Sequence, residues 1–188
     1  EELLQNLDSW QPEMIILDLS MPGIGGLITL DKILDWKKIP VLIFSTQSTQ
    51  GAPMTIEALH RGAVDFIDKQ EYSLADFATL RKVLTEKIIQ ITGIQTPVQK
   101  AEATSVQEKI SVQPQPTRAI SSGAYDLLVI GASTGGPPAI QLILNSIGEW
   151  LPIPIIIVQQ MPLGYTKAFA DRLNNHLPFT VVGAENND

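Results

Sequence analysis

The sequence predicts an α/β protein built as two doubly wound parallel-sheet domains on one chain. Three observations carry that expectation. Short apolar runs alternate with amphipathic segments from residue 1 to about 92, as they do where parallel strands are joined by helices. A stretch with no leucine and no aromatic, QTPVQKAEATSVQEKISVQPQPTRAISSG, covers 95–123. After it the same alternation starts again and runs to the last residue.

In the first segment, residues 1–9 read as an amphipathic helix through Leu3, Leu4 and Leu7. Met14–Leu19 (MIILDL) is a continuous apolar run, the pattern of a strand buried on both faces. Gly26–Trp36 is helical by the spacing of Leu27, Leu30, Ile33 and Leu34. Val41–Phe44 is a second strand, Met54–Arg61 a short helix and Ala63–Ile67 a third strand. Residues 73–91 form the longest helix, with Ser73 and Asp76 as a capping pair. In the second segment Asp126–Gly131 is a strand, Pro137–Ile147 a helix, Ile153–Gln159 a strand, Thr166–Leu177 a helix and Phe179–Val182 the start of another strand. The expected division is therefore 1–92, a linker over 93–124 stiffened by Pro97, Pro114 and Pro116, and 125–188. Both domains are expected to be incomplete, of flavodoxin-like or Rossmann-like type. The chain opens on a helix and stops on a third strand.

Composition narrows the function. Of 188 residues 44 % are apolar, enough for a core, and the formal net charge of −7 argues against a nucleic-acid-binding domain. The absence of cysteine excludes disulfides and thiolate metal sites, and two histidines, His60 and His176, are too few for a His-based zinc centre. No apolar run approaches the ~18 residues of a membrane span, and no charged start precedes an apolar signal core. The expectation is a cytoplasmic protein without membrane insertion and without a nucleic-acid partner.

In open α/β sheets, ligands collect beyond the carboxyl ends of the strands. Asp18 in LDLSMPG, Ser45 after VLIF and Lys69 after VDFID all fall at that edge. An acid, a hydroxyl and an ammonium converging there suit a carboxylate that accepts a phosphoryl group, with Lys69 pairing its charge and Ser45 bonding its oxygens. ILDLSMPG, VLIFST and GAVDFIDK, in that order and spacing, resemble the response-regulator receiver domain. The resemblance implies that Asp18 is the phosphoacceptor, Ser45 the switch hydroxyl and Lys69 the partner lysine, with Asp65 and Phe66 as its lead-in. It also implies Mg²⁺ for phosphorylation and a histidine kinase as phosphodonor. The sequence departs from the pattern at Gly25, where an aspartate is frequent, and at Gln70, where proline is usual. The first strand, first helix, second strand and Mg²⁺-binding acidic pair of that family are not in the sequence.

The second segment opens on VIGASTGGPP, where Gly131-Ala132-Ser133-Thr134-Gly135 fits G-x-S-x-G between a strand and a helix. The same letters resemble the cofactor loop of short-chain dehydrogenases. Pro137 occupies the place of the further glycine that such a loop needs. The next strand ends in Gln159 and Gln160 instead of a ribose-binding acid. A Walker-type loop is excluded because no Gly-Lys-Ser/Thr follows. Read as a nucleophile, Ser133 sits at an exposed strand–helix turn, where the helix N-terminus and the Thr134 N–H face a developing oxyanion.

IGASTGGP followed by PIIIVQQMPLGYTKAFADRLN is similar to the catalytic domain of chemotaxis protein-glutamate methylesterases, which join a receiver to that domain through a linker. The resemblance implies a serine esterase, without a cofactor, that hydrolyses glutamate methyl esters and deamidates glutamines on chemoreceptors, and is released from inhibition by receiver phosphorylation. Ser133 is then the nucleophile and Thr134 its active-site neighbour. Gln160 stands where the family has its base histidine, and a carboxamide orients a hydroxyl without taking its proton. His176, about ten residues along the following helix, and His60, in the first segment, are not placed to substitute. Asp126 enters its strand from the wrong end, Asp171 is mid-helix, and the triad aspartate is expected beyond Asp188. The competing readings are a non-catalytic signalling or binding module, which Gln160 favours, and the dehydrogenase, which Pro137 disfavours.

Overall fold

The computed structural model describes residues 2–45, 51–72, 77–93, 125–147, 151–162 and 164–184. The predicted linker and the Ser73–Asp76 cap lie outside them, apart from Gly93.

The apolar runs become parallel strands. Ile15–Asp18 (β1), Val41–Ser45 (β2) and Asp65–Asp68 (β3) form one sheet in the order β1-β2-β3, and Leu128–Ala132 (β4) pairs with Ile155–Gln159 (β5) in a second. The register sets Asp18 opposite Phe44 and Ser45 opposite Asp68, so the carboxyl ends of all three strands of the first sheet share an edge. In the second sheet Ala132 faces Gln159. Helices Glu2–Trp10 (α1), Gly26–Trp36 (α2), Gly51–Arg61 (α3), Phe77–Thr92 (α4), Gly136–Ile147 (α5) and Tyr165–His176 (α6) surround them. A single 3-10 turn spans Lys69–Glu71.

Packing follows apolar content. Val41, Leu42 and Ile43 of the central strand are fully buried. β1 differs from the two-faced burial predicted for it: Leu17 is buried, whereas Ile16 is 45 % exposed. It is an edge strand, and no described element covers its outer side. Val129, Ile156 and Val158 of β4 and β5 are likewise exposed on one face. Phe179–Val182 is not a strand. A strand requires a neighbouring ladder, and the Val181 N–H instead donates to Asn174 Oδ1 at 2.9 Å. Phe179 and Val181 pack partly against the core.

One apolar cluster runs through both sheets, from Leu30 and Ile43 to Ile140, Tyr165 and Phe169. Helix α3 is the element they share: it packs on α2, β2 and β3, and also on α5 and α6. Glu57 on α3 bridges Arg61 at 2.8 Å and Arg172 of α6 at 2.5 Å, and Arg61 also reaches Asp31 at 2.6 Å. Burial opposes ionisation of Glu57, but Arg61 and Arg172 outweigh it and hold its carboxyl below the usual range. The His60 and His176 rings meet at 5.0 Å between centroids. His60 also contacts the Gln141 side chain of α5.

Candidate functional site

The turn after β4 is tight because its backbone bonds close on themselves. The Gly136 N–H donates to the Ser133 carbonyl at 2.8 Å, and Gly135 takes φ 74°, a left-handed conformation that glycine adopts without strain. Ser133 is left exposed at the apex. Its hydroxyl donates to Gln160 Oε1 at 2.9 Å. Gln160 is held in turn by its own N–H, which donates to the Ala132 carbonyl at 2.9 Å and extends the ladder by one residue.

Gln159 completes the arrangement. Its side-chain amide donates to the Ser133 carbonyl at 3.0 Å and to the Gln160 carbonyl at 2.8 Å, clamping the two segments together. That clamp explains Gly136. A Cβ there would meet Ala132 Cβ and Gln159 Cδ at 2.8 Å, and Gln159 Oε1 closer still. From the sequence Gln159 registers only as the absence of a strand-end acid; its clamping role has no local signature.

Ser133, Thr134 and Gln160 line one wall of a cavity of about 320 Å³ whose other wall includes Phe66, Glu71 and Lys87. Lys87 is ion-paired with Asp65, which joins α4 to β3. Burial, and then the neighbouring Asp68, push the Glu71 carboxyl above its usual range against the pull of Lys87. Neither histidine lines this cavity. His176 Nδ1 contacts the Arg172 carbonyl at 2.8 Å, on the α3–α6 contact. What the Ser133 site can do is hold a nucleophile-type hydroxyl in a fixed direction; the group that fixes it is not a base.

At the first sheet's edge the structure brings Asp18 and Lys69 together at 2.5 Å, and the Ser20 N–H donates to Asp18 Oδ1 at 2.9 Å. Partial burial opposes ionisation of Asp18, but Lys69 and the Ser20 amide outweigh it and keep its carboxyl below the usual range. The Lys69 ammonium also lies over the Phe44 ring, 5.1 Å from its centroid. Ser45 stands at the same edge but is not turned to that pair. It is 1 % exposed and accepts from Thr55 Oγ1 at 2.6 Å. Among the described residues no group of three or more carboxylates and imidazoles is placed to hold a metal ion. Asp18, already paired with Lys69, supplies at most two of the six oxygens that octahedral Mg²⁺ takes, too few for a site of protein donors alone.

Two family models match the chain. The response regulator receiver domain covers residues 1–85 and the CheB methylesterase covers 128–188. A protein-glutamate methylesterase/protein-glutamine glutaminase of Bacillus licheniformis is 36 % identical over 100 % of this chain and 54 % of its own length. The chain belongs to the CheB methylesterase family, linked to a receiver domain. A relative of the same name from Archaeoglobus fulgidus is 36 % identical over 95 % of the chain and 50 % of its own length. The response regulator domain of Thermotoga maritima CheB matches at 33 % identity, covering 50 % of this chain and 72 % of that one, with a TM-score of 0.42. The chain spans about half the length of the curated relatives it matches. Membership in a hydrolase family answers the dehydrogenase alternative, and among the described residues no helix is long and apolar enough to cross a membrane.

Tyr165 of the methylesterase half meets the receiver half. It is fully buried, and its ring packs on Phe66 at 4.5 Å between centroids and 42° between planes. Burial first, and the Asp68 carboxylate second, raise its hydroxyl to about 12. The spacing Tyr165, Phe169, Leu173, one residue in four along α6, is the sequence signal for that buried stripe. Because the folded value lies above the ordinary value of about 10, the linked stability is complete below pH ~10 and is lost as pH rises through ~12. Titration of tyrosinate absorbance is expected to show a late step near pH 12 that Tyr165→Phe removes. A late step that survives the substitution contradicts the assignment.

Proposed function

We propose that this chain belongs to a phosphorylation-regulated esterase of chemotaxis adaptation. In this reading Asp18 accepts a phosphoryl group from the pathway's histidine kinase, and Ser133 attacks glutamate methyl esters, or glutamine side chains, of chemoreceptors. The supporting observation is the hydroxyl of Ser133, presented at the β4–α5 turn and directed by Gln160. The reaction is acyl transfer. Ser133 Oγ bonds to the ester carbonyl carbon, the C–O bond to methoxide breaks with a proton delivered to give methanol, and water hydrolyses the acyl-serine to free glutamate. In this reading the Thr134 N–H and the dipole at the start of α5 stabilise the oxyanion. Each half-reaction needs a group that takes and returns a proton, and Gln160 cannot.

Turnover by this chain is therefore expected to be weak. Losing the base of a serine triad costs several orders of magnitude in rate. A second reading, a non-catalytic module that keeps receptor or kinase contacts, is favoured by the same Gln160. Receiver phosphorylation calls for Mg²⁺ in the whole family, and the donors beside Asp18 do not by themselves make that site.

A fluorophosphonate probe separates the two readings. Slow labelling that Ser133→Ala abolishes supports the impaired esterase. No labelling above the Ser133→Ala background supports the binding module.

A further inference from the structure

We infer that Glu71 of the receiver half takes the proton of Ser133 through water held in the cavity between them. The inference rests on the esterase reading given above and names the acceptor which that reading lacks.

Ser133 and Glu71 line opposite walls of the cavity of about 320 Å³. The Ser133 proton lies on Gln160 Oε1, a carboxamide oxygen that does not keep it. A base for this serine therefore has to come from elsewhere in the lining. The methylesterase wall brings no carboxylate, imidazole or amine. On the receiver wall the ionisable groups are Asp65, Glu71, Tyr72, Glu86 and Lys87. Asp65 and Lys87 are engaged with each other in an ion pair, and Tyr72 is a phenol. Two carboxylates remain, Glu71 and Glu86.

Both are open to solvent, and what sets Glu71 apart is its support. It closes the 3-10 turn Lys69–Glu71, which is tied at each end. The Gln70 N–H donates to Asp68 Oδ1 at 2.9 Å, and the Tyr72 N–H points to the Lys69 carbonyl at 3.4 Å. Burial first, and Asp68 second, hold the Glu71 carboxyl above its ordinary range against the pull of Lys87. A carboxylate so placed is a stronger base than one in water. The cavity has room for several waters, each of about 30 Å³ in the liquid, so a relay across it is available.

As Ser133 Oγ bonds to the ester carbon, the carbonyl pair moves onto oxygen. The serine proton passes to a cavity water, and that water's proton passes to Glu71. Collapse of the intermediate expels methoxide, which leaves as methanol with the proton that Glu71 returns. In the second half Glu71 takes a proton from the hydrolysing water, and the proton goes back to Ser133 as the acid is freed. Ester and water become acid and methanol, and Glu71 ends ionised as it began.

Labelling of Ser133 by a neutral fluorophosphonate, followed against pH, tests this in the unsubstituted chain, Glu71→Gln, Glu71→Asp and Glu86→Gln. Glu71→Gln is expected to slow labelling about tenfold at neutral pH, less than the loss of about a hundredfold or more for a base in direct contact. Because the Glu71 carboxyl is raised, its base form is complete at neutral pH and is lost as pH falls through a value above the ordinary glutamate range. The unsubstituted chain is therefore expected to lose rate in an acid step that Glu71→Gln lacks. Glu71→Asp, which keeps the carboxylate, is expected to keep the step. A rate and an acid step unmoved by Glu71→Gln overturn the inference and leave the esterase reading standing. A loss with Glu86→Gln as large as with Glu71→Gln does the same, since the charge of the wall is then the cause. Absence of labelling above the Ser133→Ala background overturns both.

Discussion

Gln160→His is expected to raise the rate at which a fluorophosphonate labels Ser133 by about a hundredfold, the lower end of what a positioned general base supplies. The argument is one of proton accounting. The Ser133 hydroxyl already donates to the side chain at position 160, at 2.9 Å, so direction is provided and only basicity is missing. An imidazole there accepts the same proton and keeps it while the oxygen attacks. The gain is set at the lower end because an imidazole performs best when a carboxylate holds its second nitrogen. The cavity's carboxylates come from the receiver half, where Asp65 is tied to Lys87. The pH dependence checks the cause. Labelling of the histidine variant is expected to climb through pH ~6.5 as the imidazole loses its proton, while the unsubstituted chain shows no step there. Gln160→Ala serves as the control for access. If alanine accelerates labelling as much as histidine does, the effect is space and not a base.

Gly26→Ala is expected to cost about 3 kcal/mol of stability, at the upper end for overpacking, read as a fall in the denaturation midpoint. Two effects oppose each other. Alanine is the better helix former by about 1 kcal/mol, and Gly26 begins α2, so local preference alone predicts a gain. The added methyl, however, meets backbone: 2.7 Å to the Leu19 carbonyl oxygen and 2.9 Å to its carbon, with Leu19 Cα nearer. Backbone in a packed core cannot rotate aside as a side chain can, so the clash wins. Leu19 follows Asp18 directly, so the Asp18–Lys69 pair is disturbed as well. Gly131→Ala is the matched comparison, since its methyl meets nothing within 4 Å; an equal loss there would remove the clash as the explanation.

Much of this arrangement was legible beforehand because it is set by local periodicity. The Gly26–Trp36 helix has the bounds its leucine and isoleucine spacing predicts. The apolar runs around Ile15, Val41 and Ile155 became parallel strands, with ends shifted by a residue or two. Asp18, Ser45 and Lys69 came to one edge because strands that run parallel put their carboxyl ends together. What the residues did not announce depends on distant partners. Ser45 turned to Thr55 because α3 supplies a hydroxyl at that spot, and Phe179–Val182 stayed out of a sheet because no ladder was beside it. Ile16 has strand character yet faces outward, since burial on both sides depends on what lies against an edge. The roles of Gln159 and Tyr165 arise from contacts made far from their own segments.

Helix α3 leans on both sheets at once, and this bears on what a cut chain would do. A peptide bond broken between Gly93 and Tyr125 leaves every described contact of α3 with α5 and α6 in place, including the Glu57–Arg172 bridge and the tilted contact of the His60 and His176 rings. The severed pieces would then behave as complementary fragments, co-eluting as one particle and dissociating only when that shared wall is unfolded.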